Sequence, residues 1–149
     1  MILYEEKGRE TSKKSARRIC CLVCECLIAC RHVLGLFEKG KIEPAIDSLQ
    51  QVIETCPACP TIHEIAGDLM YLADCYEESA RHYENALKHM KDVSRIVFKK
   101  GIAHAASGHA EDAYYEIVKA ASLGSPEARI IVACIEETSG KPPRDYCEH

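Results

Sequence analysis

The sequence predicts an all-α fold of three 34-residue helical hairpins followed by one further helix, seven helices in all. Two observations predict it. Small residues recur at a constant spacing of 34 along most of the chain. Between them, apolar residues follow the period of about 3.6 residues that is typical of amphipathic helices. A composition of 47% hydrophobic but only 6% aromatic residues fits helices built from Ala, Leu and Ile.

Five series of positions carry the 34-residue repeat. They are Gly67 and Gly101; Gly40, Asp74 and Gly108; Ala45, Ser79 and Ala113; Leu49, Tyr83 and Ile117; and Val52, Ala86 and Ala120. Small side chains in the first and third series let two antiparallel helices approach closely. The second series predicts the turn inside each hairpin, because glycine readily adopts the positive φ that ends a helix, whereas aspartate tolerates it less well. The bulky fourth series fills the space between hairpins.

The predicted helices follow from these landmarks in order. They cover residues 17–39, 43–55, 60–73, 77–90, 94–107 and 110–122. After Ser125 and Pro126, residues 127–138 (EARIIVACIEET) form a seventh helix that covers the apolar face of the last hairpin. We expect one domain over 17–138, a loose N-terminal segment at 1–16 and a flexible tail at 139–149, which contains Pro142 and Pro143.

The five series resemble the tetratricopeptide repeat, in the frames 26–59, 60–93 and 94–127, with 127–138 as the capping helix. The three frames depart from the family pattern at one place each. Val33 stands at a small position in the first, Lys91 replaces the proline of the second, and Pro126 comes one place late in the third. The resemblance implies a right-handed α-solenoid that binds other proteins.

In this family the first helix of each hairpin lines a concave groove that receives a peptide or helix of a partner. The groove-facing positions carried over to this chain are Leu27, Cys30, Arg31, Leu34 and Phe37, then Thr61, Glu64, Ile65, Asp68 and Tyr71, then Arg95, Phe98, Lys99, Ile102 and Ala105. The candidates for partner contact among them are Leu34, Phe37, Ile65, Asp68, Tyr71, Arg95, Phe98, Lys99 and Ile102. The apolar side chains among these candidates either anchor the partner segment or pack between the first helices of adjacent hairpins.

Some family members grip the acidic C-terminus of a chaperone with a clamp of basic and amide side chains. Only Arg95 and Lys99 match that clamp, while Cys30, Leu34 and Ile65 occupy its other places. We therefore reject chaperone-tail binding and keep Arg95 and Lys99 as a site for one acidic partner residue, or as two solvated charges. In size and repeat number the chain is also similar to the chaperones of type III secretion translocators.

A rival hypothesis of another class rests on thiols. Cys56, Pro57, Ala58 and Cys59 form a C-x-x-C followed by His63, and Cys21 with Cys24 forms a second such pair. Together they suggest a zinc- or thiol-based module. Two features argue against it. The two pairs lie further apart than in zinc ribbons, and Pro57 is already explained as a helix stop.

Composition and motifs restrict the remaining functions. The net charge of -4 disfavours nucleic acid, and no apolar run approaches a membrane span. No nucleotide-binding, metalloprotease or serine-hydrolase motif is present, so we expect no enzyme and no cofactor. Acidic residues within and before the apolar run 19–29 argue against a signal peptide and for a cytoplasmic location. The expected role is a scaffold or adaptor, as a subunit or assembly factor of a larger complex, and the N-terminal helix packs inward or against a second copy.

Overall fold

The structure, a computed structural model, describes the backbone of residues 25–140 and the side chains of 28–140. This part of the chain holds seven α-helices and no strand, which confirms the predicted all-α class. The helices are α1 (Glu25–Glu38), α2 (Ile42–Thr55), α3 (Pro60–Leu72), α4 (Tyr76–Leu87), α5 (Ser94–Ala106), α6 (Ala110–Ser122) and α7 (Pro126–Thr138). The predicted loose segment 1–16, the predicted helical residues 17–24, and residues 141–149 lie outside the described residues.

Apart from the predicted start of the first helix at residue 17, which lies outside the described residues, the predicted helix boundaries agree with the observed ones to within one residue, except at the end of α4. That helix stops at Leu87, whereas the sequence predicts that it continues to residue 90. The reason is local: the His89 N–H bonds to the Ala86 carbonyl at 3.2 Å, three residues back, which closes a tight turn in place of a further α-helical turn.

The chain divides into two compact units between Ile62 and His63, inside α3. In the first unit α1 packs against α2, with Val33, Ala45 and Leu49 buried. In the second unit α4 packs against α5, α5 against α6, and α6 against α7. Consecutive helices therefore pack on one another within each unit, the order found in helical repeats.

The turns inside the hairpins have the predicted backbone conformation. Gly40, Asp74 and Gly108 have φ values of 71°, 60° and 85°. Each also donates its N–H to the carbonyl three residues earlier, at 2.9, 3.1 and 3.1 Å respectively. These bonds use carbonyl groups that the end of a helix leaves unpaired, so the same residue both ends the helix and reverses the chain.

Close approach of paired helices is confirmed at both glycines of the first series. A Cβ added to Gly67 would lie 2.5 Å from the ring of Tyr83, and one added to Gly101 would lie 2.8 Å from the side chain of Ile117. Both contacts join residues 16 positions apart, so the same packing occurs in two successive hairpins. A further bond between α3 and α4 runs from the Ser79 hydroxyl to the Gly67 carbonyl at 2.8 Å.

The last helix, α7, closes the second unit. Ser125 caps it, because its hydroxyl accepts from the Ala128 N–H at 3.3 Å, and Pro126 occupies the first turn. Ala128 and Val132 are fully buried in a cluster with the α6 residues Ala120 and Ala121. The helix therefore buries the apolar side of α6, as the sequence predicted for residues 127–138.

Candidate functional site

Four charged side chains of α3 and α5 form an ion-pair cluster: Glu64, Asp68, Arg95 and Lys99. The guanidinium of Arg95 donates to both carboxylate oxygens of Glu64, with an Nη2–Oε2 distance of 3.0 Å. The Lys99 ammonium lies 2.9 Å from Glu64 Oε1 and 2.8 Å from each oxygen of Asp68. Bidentate arginine pairing is a strong, directional contact, so the cluster fixes how α5 lies on α3.

Tyr83 of α4 supports this cluster from the core side. Its hydroxyl donates to Asp68 Oδ1 at 2.6 Å, and the Lys99 ammonium lies 5.9 Å from the centroid of its ring. The ring itself is buried against Gly67. A cation at this distance from an aromatic face is attracted to it, so Tyr83 holds both Asp68 and Lys99 in place.

These contacts shift the pKa values of Tyr83 and Glu64. Burial raises the pKa of the Tyr83 hydroxyl, and the bond to Asp68 raises it further, so the group remains a donor. Burial alone would raise the pKa of the Glu64 carboxyl as well. The hydrogen bonds and positive charges of Lys99 and Arg95 outweigh that effect and hold the pKa below its usual range. Glu64 is therefore ionised at neutral pH.

The charges of the ion-pair cluster cancel, since two carboxylates face two cations. Its members differ in exposure: the side chain of Glu64 is 12% exposed, whereas that of Arg95 is 60% exposed. A guanidinium has five N–H donors, and Glu64 takes two of those of Arg95. Arg95 thus has donors directed to solvent that a further acceptor can use.

Four apolar side chains lie on the same two helices. Ile65, Tyr71, Phe98 and Ile102 are half-buried. Tyr71 packs against a core cluster of α4 and α5, and its ring centroid lies 5.2 Å from that of Tyr76. Phe98 and Ile102 pack against the core cluster of α6 and α7. We call these four, together with the ion-pair cluster, the α3–α5 face.

Two predicted contact residues belong to the first unit. Leu34 and Phe37 lie about one turn apart on α1, with Leu34 42% exposed and Phe37 half-buried. Leu27, a further groove position, lies at a place whose side chain is outside the described residues.

Sequence reasoning named Asp68, Arg95 and Lys99 but missed that they bind one another through Glu64 and Tyr83. A signal for the ion pairs was present in the spacing. Glu64 and Arg95 are 31 residues apart, as are Asp68 and Lys99, which is three less than the repeat. Opposite charges at that separation meet when the first helices of successive hairpins lie side by side. At position 83 the repeat predicts only a bulky side chain between hairpins and gives no partner for the Tyr83 hydroxyl.

The cysteines of the thiol hypothesis lie in the first unit. Cys56 and Cys59 are buried beside the α2–α3 turn, and Cys30 of α1 is buried near them. Burial raises the pKa of the Cys30 thiol, and the neighbouring Cys59 and Cys56 raise it further. Across residues 25–140 no group of three or more His, Cys, Asp or Glu side chains is placed to hold a metal ion.

His63, the remaining candidate ligand, pairs with another histidine. Its Nδ1 lies 3.2 Å from the Nδ1 of His82 on α4, and the two rings stack with centroids 5.5 Å apart. Cys21 and Cys24 of the second C-x-x-C lie outside the described residues.

Comparison with models of known protein families gives no match, and comparison with curated proteins gives none either. Within the described part of the chain, each helix is too short or too polar to span a bilayer.

Proposed function

We propose that this chain is a non-enzymatic protein-interaction module of the tetratricopeptide-repeat type, and that the α3–α5 face binds an extended or helical segment of one protein partner. The 34-residue repetition of turn geometry and of close helix contacts supports the repeat assignment. A cytoplasmic scaffold or adaptor is the role that this assignment favours.

The observation that carries the proposal is the internal neutralisation of the ion-pair cluster. Its charges are already satisfied, so a partner does not have to supply several counter-charges in order to bind. Half-buried Tyr71, Phe98 and Ile102 are held by core contacts, so little side-chain entropy is lost when a partner packs on them. Such rigid apolar anchors typically supply most of the affinity of an interface.

In the proposed complex Arg95 orients the partner segment. Its exposed guanidinium keeps donors free of Glu64, and these can receive one acidic side chain of the partner. The proposed partner segment is therefore an apolar stretch with an acidic residue beside it. We assign that acidic residue to Arg95 alone, because the Lys99 ammonium already donates to Glu64 and Asp68.

The test compares face variants with a matched control. The tagged full-length protein is purified from its native cells, and companions at a fixed ratio are quantified by mass spectrometry. Tyr71→Ala and Arg95→Ala each lower the yield of the dominant companion about tenfold, as expected for truncation of a central contact. Arg81→Ala, which removes an exposed arginine of α4, leaves the yield unchanged.

Circular dichroism confirms that all three variants keep the helical content of the wild type. If both face variants retain the companion, the interface lies elsewhere on the protein. If no companion is found at a fixed ratio, the proposal is contradicted.

A further inference from the structure

Exposed large apolar side chains are concentrated at the first and last helices that the structure describes. Nine such side chains are exposed among residues 28–140, and six of them lie on α1 or α7 or within four residues of those helices. The six are Ile28, Leu34, Ile42, Leu123, Ile130 and Ile135. The outermost helices of a repeat array need polar outer faces if only water covers them. Exposed apolar residues at both of these helices therefore favour a further helix packed on each.

On α7 the exposed apolar residues lie on the part of the surface that α6 leaves uncovered. Ile130 is 66% exposed and Ile135 is 38% exposed, and Cys134 between them is also exposed. Val132, on the other side of the helix, is fully buried in the cluster shared with α6. We call Ile130, Cys134 and Ile135, with the exposed Glu137 one turn after Cys134, the α7 strip.

On α1 the exposed surface has the same kind of composition. Ile28 is 67% exposed and Leu34 is 42% exposed, and the exposed Arg31 lies between them around the helix. Val33 is fully buried in the first unit, where α1 packs against α2. We call Ile28, Arg31 and Leu34 the α1 strip.

The charges of the two strips are opposite. Arg31 and Glu137 make no ion pair with any residue in 25–140. The basic residue of α7, Arg129, lies on the α6 side, because its Nε donates to the Ala121 carbonyl at 3.2 Å. Two α1 strips would bring arginines together, and two α7 strips would bring glutamates together, and both arrangements are repulsive. Only an α1 strip facing an α7 strip joins opposite charges.

We propose that the α7 strip of one copy of this protein packs on the α1 strip of a second copy, with Arg31 and Glu137 paired across the contact. The contact joins two different surfaces, so copies associate head to tail. Two short helices bury less than the roughly 800 Å² per partner of a standard interface. The dissociation constant is therefore on the order of 10 to 100 µM.

The experiment is sedimentation equilibrium of the full-length protein, with a reducing agent present so that Cys134 forms no disulfide. The mean mass of the wild type rises with concentration between about 1 µM and about 1 mM. Arg31→Glu and Glu137→Arg each place like charges across the contact and weaken the association at least about tenfold. Arg81→Glu, at an exposed arginine of α4, is the matched control and leaves the association unchanged. Circular dichroism checks that each variant keeps the helical content of the wild type.

A mixture of the two charge variants tests the pairing itself. In an equimolar mixture, Glu at position 31 of one variant faces Arg at position 137 of the other, and the remaining strips form the wild-type pair. The mixture therefore regains the wild-type association, although each variant alone has lost it. Ile130→Ala, which removes apolar contact area without changing charge, weakens the association about tenfold in any mixture.

Three results would overturn the proposal. The first is a mean mass that stays at one copy over the whole range of concentration. The second is association that Arg31→Glu leaves unchanged, since α7 would then pair with something other than α1. The third is a mixture that associates no better than the separate variants. None of these results changes the capture of a companion by the α3–α5 face, which is measured separately.

Discussion

Individual glycines in the helices differ in what surrounds them. A Cβ on Gly67 would lie within 3 Å of three atoms of the Tyr83 ring, whereas a Cβ on Gly35 of α1 would meet nothing within 4 Å. The same residue type therefore has opposite consequences at the two places. At Gly67 the missing side chain makes room for packing, and at Gly35 it only lowers helix propensity.

Gly67→Ala should lower the free energy of unfolding by about 2 to 3 kcal/mol, because the buried Tyr83 ring cannot move away without losing its bond to Asp68. Denaturant titration followed by circular dichroism measures the change. Gly35→Ala is the matched control and should raise the free energy of unfolding by about 0.5 to 1 kcal/mol. A loss of similar size in both variants would contradict the packing role of Gly67.

His82, whose ring stacks on that of His63, makes stability depend on pH. Burial lowers the pKa of His82, and the neighbouring charges of His63 and Arg81 lower it further, against the opposing effect of Glu78. The folded pKa thus lies below the unfolded value of about 6.5, so the unfolded chain binds the proton first as the pH falls. The contribution to stability is therefore fully present above about pH 6.5 and is lost as the pH falls from there through the lower, folded pKa of His82.

His82→Asn removes this titration and keeps a polar group near the position of Nδ1. The unfolding free energy, measured by denaturant titration between pH 8 and 5, should depend less on pH in the variant. The slope lost is at most about 1.4 kcal/mol per pH unit, the limit for one proton. An unchanged slope in His82→Asn would contradict this role of His82.

At the scale of elements, the hairpin turns were predictable and the ion-pair cluster was not. The positive φ of Gly40 and Gly108 is predictable from residue type alone. The steric clash that a Cβ causes at positive φ involves only neighbouring backbone atoms, so it does not depend on the rest of the fold. The contact between Glu64 and Arg95 depends on how two helices lie together. The spacing of these two residues can be taken from the sequence, but the orientation of their side chains cannot. The same holds for Tyr83. Its large side chain is predictable from the repeat, whereas the hydrogen bond from its hydroxyl to Asp68 is not.

Asp74 is the one non-glycine residue with positive φ in the described part of the chain. Asp74→Gly should therefore raise the free energy of unfolding by about 0.5 kcal/mol, and Gly108→Ala should lower it by about 1 kcal/mol. Thermal and denaturant unfolding measure both changes in the free energy of unfolding. Asp74 also accepts from the Tyr76 hydroxyl at 2.7 Å, so Tyr76→Phe isolates the loss of that exposed bond. A stabilisation by Gly108→Ala would show that its turn conformation is not needed.

At the scale of the whole molecule, the packing of consecutive helices predicts that stability is distributed unevenly. In repeat arrays each element is stabilised by its neighbours, so a terminal element opens most readily. In the second unit α5 packs against both α4 and α6, whereas α7 packs against α6. The 34-residue period was enough to predict this order of contacts, because each hairpin can bury its apolar face only on the next one.

Val132→Ala tests this distribution. Val132 is fully buried on the side of α7 that packs against α6, and its truncation should cost about 1 to 2 kcal/mol of local stability. Amide hydrogen exchange followed by mass spectrometry should then become about tenfold faster in α7, less so in α6, and remain unchanged in α3. Ile130→Ala on the exposed side of α7 is the matched control and should leave all three rates unaltered. An equal acceleration in every helix would mean that the chain opens as one cooperative unit, and the neighbour-by-neighbour account of its stability would be wrong.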